Sequence, residues 1–379
     1  MIANPSNHYH PSRNSQRSHV YTADVSHIEV YLNELMERRA TDLHIAAGSH
    51  PMIRIDGSLQ PIKGSEPLTP EQTTMIIDRL VGPHDLDRFN QDRQLDFSFP
   101  WADRARFRAN AYYQRNSPAV ALRLIPTEIP TPQQLGLPDV WEKIVKKPHG
   151  LVLATGPTGS GKSTSQAAMV AEIAATRACH ILTIEDPIEY MQDSKMALVN
   201  QREVGTDVPD FAQGLRAALR EDPDVVLVGE LRDLETIALT LTLAETGHLV
   251  FGTLHTNDAA QTVDRLIDVF PSDQQAQVRT QLSMSLVAVI AQRLIPRIGG
   301  GRVAAFEVMT GSPAISNLIR EGQVRQIRNV MTTSGRDGMQ LLESSLSGLV
   351  SNGTITLDDA QAISMYPDEV VYHQQVVRA

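Results

Sequence analysis

The sequence predicts two units, a small α+β domain with an antiparallel sheet and a larger α/β domain with a mostly parallel one. Three observations carry this reading. Between His27 and Ile125, short alternating apolar segments are separated by turn signals, with helical stretches among them. From Gly150 onward, near-continuous apolar runs of strand length alternate with helical stretches, the pattern of strands covered on both faces. The first of these runs, Leu151-Val152-Leu153-Ala154, breaks into Gly156-Pro157-Thr158-Gly159-Ser160-Gly161-Lys162-Ser163-Thr164, which meets G-x-x-x-x-G-K-[ST] at every fixed position.

Taken in order, residues 1–25 are polar and rich in Ser, Asn, His and Arg, and read as a disordered tail in which His8, His10 and His19 either are solvated or bind a metal. Residues 26–125 form the first domain. Ile28, Tyr31, Leu32 and Leu35 recur at helical spacing, so His27–Arg39 is an amphipathic helix. Asp42–Ile45 enters a strand. Met52–Ile55, the turn signal Asp56-Gly57, and then Leu59 and Ile62 read as a hairpin. Thr69 is placed to cap a helix that has Pro70 at its first position. Leu95, Phe97 and Phe99 alternate with Asp96 and Ser98, and Val120–Ile125 is a further strand. Arg104, Arg106 and Arg108 alternate with Ala105, Phe107 and Ala109. On a strand these arginines share one side, either as a solvated basic face or as an anion clamp.

Pro126, Pro130, Pro132 and Pro138 punctuate residues 126–149, read as a linker with one short helix near Val140–Lys146. The second domain spans 150–365. Its later strands are His180–Asp186, Asp224–Glu230 and His248–His255, and Leu234, Ile237, Ala238 and Leu241 place a helix between the last two. Beyond Pro271 the chain reads as mostly helical to about Ala362, and 366–379 as a loosely held tail.

The glycine-rich loop specifies phosphate chemistry. Its glycines let backbone N–H groups turn inward around a phosphate chain, Lys162 brings a point charge to the terminal phosphates, and Ser163 offers a hydroxyl to Mg²⁺. The following helix directs its positive end at the same anion. In parallel sheets ligands gather at the carboxyl ends of strands. Glu185, Asp186 and Glu189 follow one apolar run, Glu230 closes the next, and His248 and His255 bracket the last, so all can converge on Lys162. Glu230 is the candidate for orienting the attacking water, or a strand-end glutamate salt-bridged to Arg232. Glu185 and Glu189 either hold metal-bound water or cap the next segment. His255 either senses a γ-phosphate or is a satisfied core histidine.

Composition narrows the partners. The net charge of −10 argues against broad binding of nucleic acid. The single cysteine, Cys179, excludes an internal disulfide framework and a multi-cysteine zinc site. The longest apolar run, Leu286–Ala291, is far too short to span a bilayer, so a cytoplasmic protein without a transmembrane segment is expected.

GPTGSGKST, ILTIEDPIEY, DVVLVGELRD and TGHLVFGTLHTNDA, in this order and spacing, resemble the boxes of the secretion and type IV pilus motor ATPases, over roughly residues 26–365. Within that superfamily the chain looks like the retraction ATPases of twitching motility. The resemblance implies a hexameric ring of two-domain subunits, each with a PAS-like N-terminal domain and a RecA-like P-loop motor domain. It implies ATP and Mg²⁺ as ligands, with Gly156–Thr164 and His248 at the nucleotide, and Ser163 and Asp186 at the metal. It implies catalytic roles for Glu185, Glu189, Glu230 and His255, and for Arg108 in Phe107-Arg108-Ala109-Asn110 and Arg123 in Leu122-Arg123-Leu124-Ile125-Pro126. The partners it implies are further copies of the chain, an inner-membrane pilus platform protein and a paralogous motor ATPase, at the inner-membrane base of the pilus machine.

Ala314–Glu321 resembles a box of the retraction motors, with Ser316 where that family usually carries Arg. The assembly ATPases carry a large N-terminal extension and usually a tetracysteine metal site, and this sequence has neither. The competing readings are an accessory retraction paralogue, a type IV secretion or conjugation motor, a RecA-like nucleic-acid translocase and a non-hydrolysing nucleotide-binding scaffold.

Overall fold

The computed structural model describes residues 28–55, 57–101, 105–125 and 128–372. The predicted N-terminal tail, the turn residue Asp56, Arg104 and residues 373–379 lie outside the described residues. The chain divides into two compact units at Ile125/Pro126.

The first unit comprises α1 (Ile28–Glu37), β1 (Asp42–Ile45), β2 (Met52–Ile55), β3 (Ser58–Pro61), α2 (Pro70–Asp92), β4 (Gln94–Trp101), β5 (Ala105–Gln114) and β6 (Ser117–Ile125). The sheet runs β3-β2-β1-β6-β5-β4 with every neighbour antiparallel. Thr69 and Gln72 exchange side-chain-to-backbone bonds of 3.3 and 2.8 Å, a reciprocal cap that starts α2. α2 bends at Gly82, whose φ of 73° precedes Pro83. One sheet face is apolar. Leu43, Ile53, Phe107 and Leu122 pack there with Leu32 and Leu35 of α1 and Ile76, Ile77 and Phe89 of α2. The alternation that buries them turns Asp42, Arg54, Arg108 and Arg123 to the other face.

The second unit comprises α3 (Val140–Ile144), β7 (Gly150–Thr155), α4 (Lys162–Thr176), β8 (His180–Glu185), β9 (Leu198–Glu203), α5 (Phe211–Ala218), β10 (Val225–Val228), α6 (Leu234–Glu245), β11 (Leu249–Leu254), α7 (Ala259–Asp268), α8 (Gln275–Ser285), β12 (Leu286–Pro296), β13 (Arg302–Thr310), α9 (Pro313–Arg320), α10 (Ile327–Thr333), α11 (Leu342–Ser351) and α12 (Leu357–Ile363). Its sheet runs β13-β12-β7-β11-β10-β8-β9, parallel throughout except for the β12–β13 pair. Successive residues of β7 enter different cores: Leu151 and Leu153 join one side with Leu241, Leu266 and Leu282, and Val152 joins the other with Met169, Val170 and Ile173. Both faces are covered, which is why these strands read as unbroken apolar runs.

Three readings change. The stretch beyond Pro271 holds the expected helices but is interrupted by two strands: β12 and β13 form an antiparallel hairpin inside it. Leu286–Ala291 is a buried strand, and Gly299, Gly300 and Gly301, at φ of 88°, 107° and 76°, provide the left-handed backbone that the turn requires. The segment read as a linker carries its expected short helix, α3, but belongs to the second unit rather than standing between the two. Leu137, Val140, Trp141, Ile144 and Val145 pack into the second unit's core. The chain is also anchored past 366. Val370 is buried beside Leu346, and the Val371 N–H donates to Ser347 Oγ at 3.0 Å. No described helix is long and apolar enough to cross a membrane.

Candidate active site

The phosphate loop joins the end of β7 to the start of α4, where the N-cap is Gly161 at φ 90° and no side chain caps the helix. The first N–H groups of α4 are therefore left for an anion. Two of the loop glycines are required. At Gly156, with φ 135°, a Cβ would lie 2.4 Å from the Gln292 carbonyl oxygen and 2.8 Å from Ser160 Oγ. At Gly161 it would lie 2.7 Å from Gln292 Nε2. Gln292 of β12 thus forms one wall of the loop, and its Oε1 accepts from Ser165 Oγ at 2.8 Å.

Lys162 is buried, and its ammonium donates to the carbonyls of Gly156 and Pro157 at 2.9 and 3.0 Å. Burial pushes its pKa down, while the Glu230 and Glu189 carboxylates pull it back up. The hydroxyls of Ser160 and Thr155 are buried with no partner among the described residues. Gly159 has open space on its Cβ side, and Thr164 Oγ1 lies 2.9 Å from the Tyr190 hydroxyl. Pro157 and Thr158 lie exposed between these contacts, and Ser163 is half-buried in the first turn of α4.

The carboxyl ends of β8, β10 and β11 bring the acids and one histidine together. Glu230 Oε2 accepts from Arg232 Nη2 at 2.7 Å, and Glu230 Oε1 lies 3.3 Å from His255 Nε2. The Arg232 hydrogen bond is the main cause that holds the Glu230 carboxyl below its ordinary range, so it stays ionised, as a water-orienting base must. Arg232 also lies 3.9 Å from Asp186. The salt bridge to Arg232 and the place beside Lys162 therefore coexist at Glu230.

Glu185 is more enclosed. Burial pushes its pKa up, although Thr183 Oγ1 and Gln201 Nε2 donate to it at 2.6 and 3.1 Å. The Glu189 N–H reaches its other oxygen at 3.4 Å, so Glu185 caps the segment that carries Glu189.

His248 does not join this group. It precedes β11, its carbonyl accepts from the Gly150 N–H at 3.0 Å, and its Nδ1 lies 2.9 Å from the Leu243 carbonyl. That is the amino end of the strand, roughly 20 Å along the chain from His255 at about 3.3 Å per residue. The histidines bracket the strand in sequence, and bracketing a strand places its flanks at opposite ends.

In the first unit Arg108 and Arg123 are directly opposed partners on β5 and β6. Arg123 Nε donates to Asp42 at 2.8 Å, and Arg54 lies 3.7 Å from the same carboxylate. Arg108 is exposed and has no carboxylate partner among the described residues. Two cations thus share one acid beside a third that has none, an arrangement that favours an added anion. Spacing offered Arg108 only as one of a stripe and the family resemblance singled out Arg108 and Arg123, but neither could show that they face each other.

Gln292 and Arg293 were not found from the sequence. No motif marks them, and their place beside the phosphate loop depends on β12 lying next to β7. The described residues contain no group of three or more His, Cys, Asp or Glu able to hold a metal ion. Ser163, in the first turn of α4, and Asp186, after β8, are the residues that could hold a Mg²⁺ together with a nucleotide's own phosphates.

The family model for type II/IV secretion system proteins matches residues 22–336. The chain is 51% identical over 329 residues to the type IV pilus retractation ATPase PilT of Pseudomonas aeruginosa, covering 87% of this chain and 95% of that one. It is 48% identical over 312 residues to a twitching motility protein of Neisseria gonorrhoeae, covering 82% and 83%. The crystal structure of the pilus retraction motor PilT with bound ADP matches with a TM-score of 0.86 at 47% identity, over 90% of this chain and 98% of that chain.

Proposed function

The chain belongs to the type II/IV secretion system protein family, and we propose that it is the ATP-hydrolysing motor that retracts type IV pili in twitching motility. The observation that carries the chemistry is Glu230. It is ionised, held by Arg232 and His255, and placed at a strand end within the field of Lys162.

Lys162 moves from the loop carbonyls to the terminal phosphates, while the loop amides and the start of α4 hold the chain of phosphates. Ser163 and Asp186 would hold Mg²⁺, which when bound neutralises charge on the β- and γ-phosphates. Glu230 orients the attacking water, His255 keeps Glu230 in place and responds to the γ-phosphate, and Glu185 and Glu189 order the acidic segment beside them. Arg108 and Arg123 are the first unit's contribution to the phosphate charge.

The first unit is PAS-like and the second RecA-like. The motor is a homohexamer at the cytoplasmic face of the inner membrane. It acts on a platform protein, shares work with a paralogous motor ATPase, and converts hydrolysis into movement of one unit against the other. The identity to a retraction ATPase over most of both chains supports this assignment.

Lys162→Ala should abolish phosphate release from ATP. Glu230→Gln should abolish it while ATP still binds, because it removes the base and keeps the loop. Normal turnover in either variant would remove the site assignment.

A further inference from the structure

The hydrolytic reading gives no role to Arg293, yet this residue ties two parts of the site together. It stands on β12 next to Gln292, the residue that walls the phosphate loop. Its Nη2 donates to Asn257 twice, to Oδ1 at 2.9 Å and to the carbonyl at 3.2 Å. Its Nη1 is shut off from solvent without an acceptor among the described residues. Burying part of a guanidinium in this way is costly unless its place is needed.

Asn257 lies two residues after His255, whose Nε2 faces Glu230. The other ties of this loop run elsewhere. Thr256 Oγ1 pairs with Thr262 of α7 at 2.6 Å, Asp258 caps α7, and the Ala259 N–H donates to Glu307 at 2.8 Å. These fix the loop to α7 and β13. The Arg293–Asn257 contact fixes it to the strand that braces the phosphate loop.

We propose that Arg293 is a positioning residue for hydrolysis: by holding Asn257 to β12, it sets His255 against Glu230 and keeps that pair in register with Lys162. It acts through the His255 loop and not on the nucleotide. Both bonds leave one nitrogen, Nη2, whose two N–H groups are fixed in the plane of the guanidinium, a geometry that an ammonium reproduces only in part. The inference rests on the hydrolytic reading of Glu230.

The test is phosphate release by the full-length protein across ATP concentration, with ADP affinity measured alongside. Arg293→Ala should lower kcat about tenfold or more while KM and ADP affinity stay within about twofold, since a small displacement of a catalytic group costs rate. Arg293→Lys should recover part of the loss. Asn257→Ala should lower kcat in the same direction, and the double variant should be no slower than Arg293→Ala alone. Should Arg293→Ala melt early, Arg293→Lys and Asn257→Ala carry the same test without removing the buried cation.

A kcat within about twofold of the parent would overturn the inference. So would additive losses in the double variant, or a tenfold loss of ADP affinity, which would put Arg293 on the nucleotide. Lys162→Ala in the same assay separates the two levels: turnover there removes the hydrolytic reading, whereas a dead Lys162→Ala beside a normal Arg293→Ala removes this inference alone.

Discussion

Glu307 shows how one buried side chain sets a pH dependence. It lies on β13 at 7% exposure and accepts from the Ala259 N–H. Burial pushes its pKa up from 4.5 to about 7, with Asp258 and Glu343 adding to the rise and the Ala259 bond and Arg328 opposing it. The folded chain therefore keeps a proton that the unfolded chain has lost. The stability this gives is complete below about pH 4.5 and is lost as pH rises through 7. At most this is about 3 kcal/mol. Glu307→Gln keeps the acceptor for Ala259 and removes the titration. Its melting temperature should match the parent near pH 4 and exceed it at pH 8; parallel pH profiles for the two proteins would refute the assignment. At this scale the sequence marked residues with chemistry of their own. Lys162 stands in the phosphate-loop motif and Glu230 and His255 are reactive types at strand ends, whereas Gln292 and Arg293 act only through what β12 lies beside.

The phosphate loop depends on an element 130 residues further along the chain, since Gln292 belongs to β12. Its glycines should therefore tolerate change unequally. Gly156→Ala places a Cβ against the Gln292 carbonyl and keeps a strained φ, so it should lose ATP binding and lower the melting temperature. Gly159→Ala meets no atom within 4 Å and carries only the left-handed strain, about 1 kcal/mol. Calorimetric melts with an ATP-binding assay check both, and equal losses would contradict the bracing by β12. Period-2 alternation and capping chemistry made the first unit readable element by element. The β12–β13 hairpin was not, because a short apolar run fits a buried strand or a buried helix equally, and helices surround it on both sides.

At the scale of the whole molecule, each of the two units carries charge of a different kind. The second carries one lysine at the start of α4 and several carboxylates at its strand ends, and the first presents a row of arginines around a single aspartate. Motif position and family resemblance gave the candidates in both units, but register gave the pairing of Arg108 with Arg123, and register is a property of the assembled sheet. Arg108→Ala should weaken turnover without loss of stability, since an exposed arginine beside another cation gains nothing from the fold. A steady-state assay with a thermal melt measures this, and an unchanged kcat/KM would remove Arg108 from the site. Motor function is tested most directly in cells, by counting surface pili and measuring twitching after the gene is replaced by the Glu230→Gln allele. The retraction account predicts more surface pili than the parent strain and no twitching. Normal twitching, or lost export of a secreted substrate with normal piliation, would contradict it.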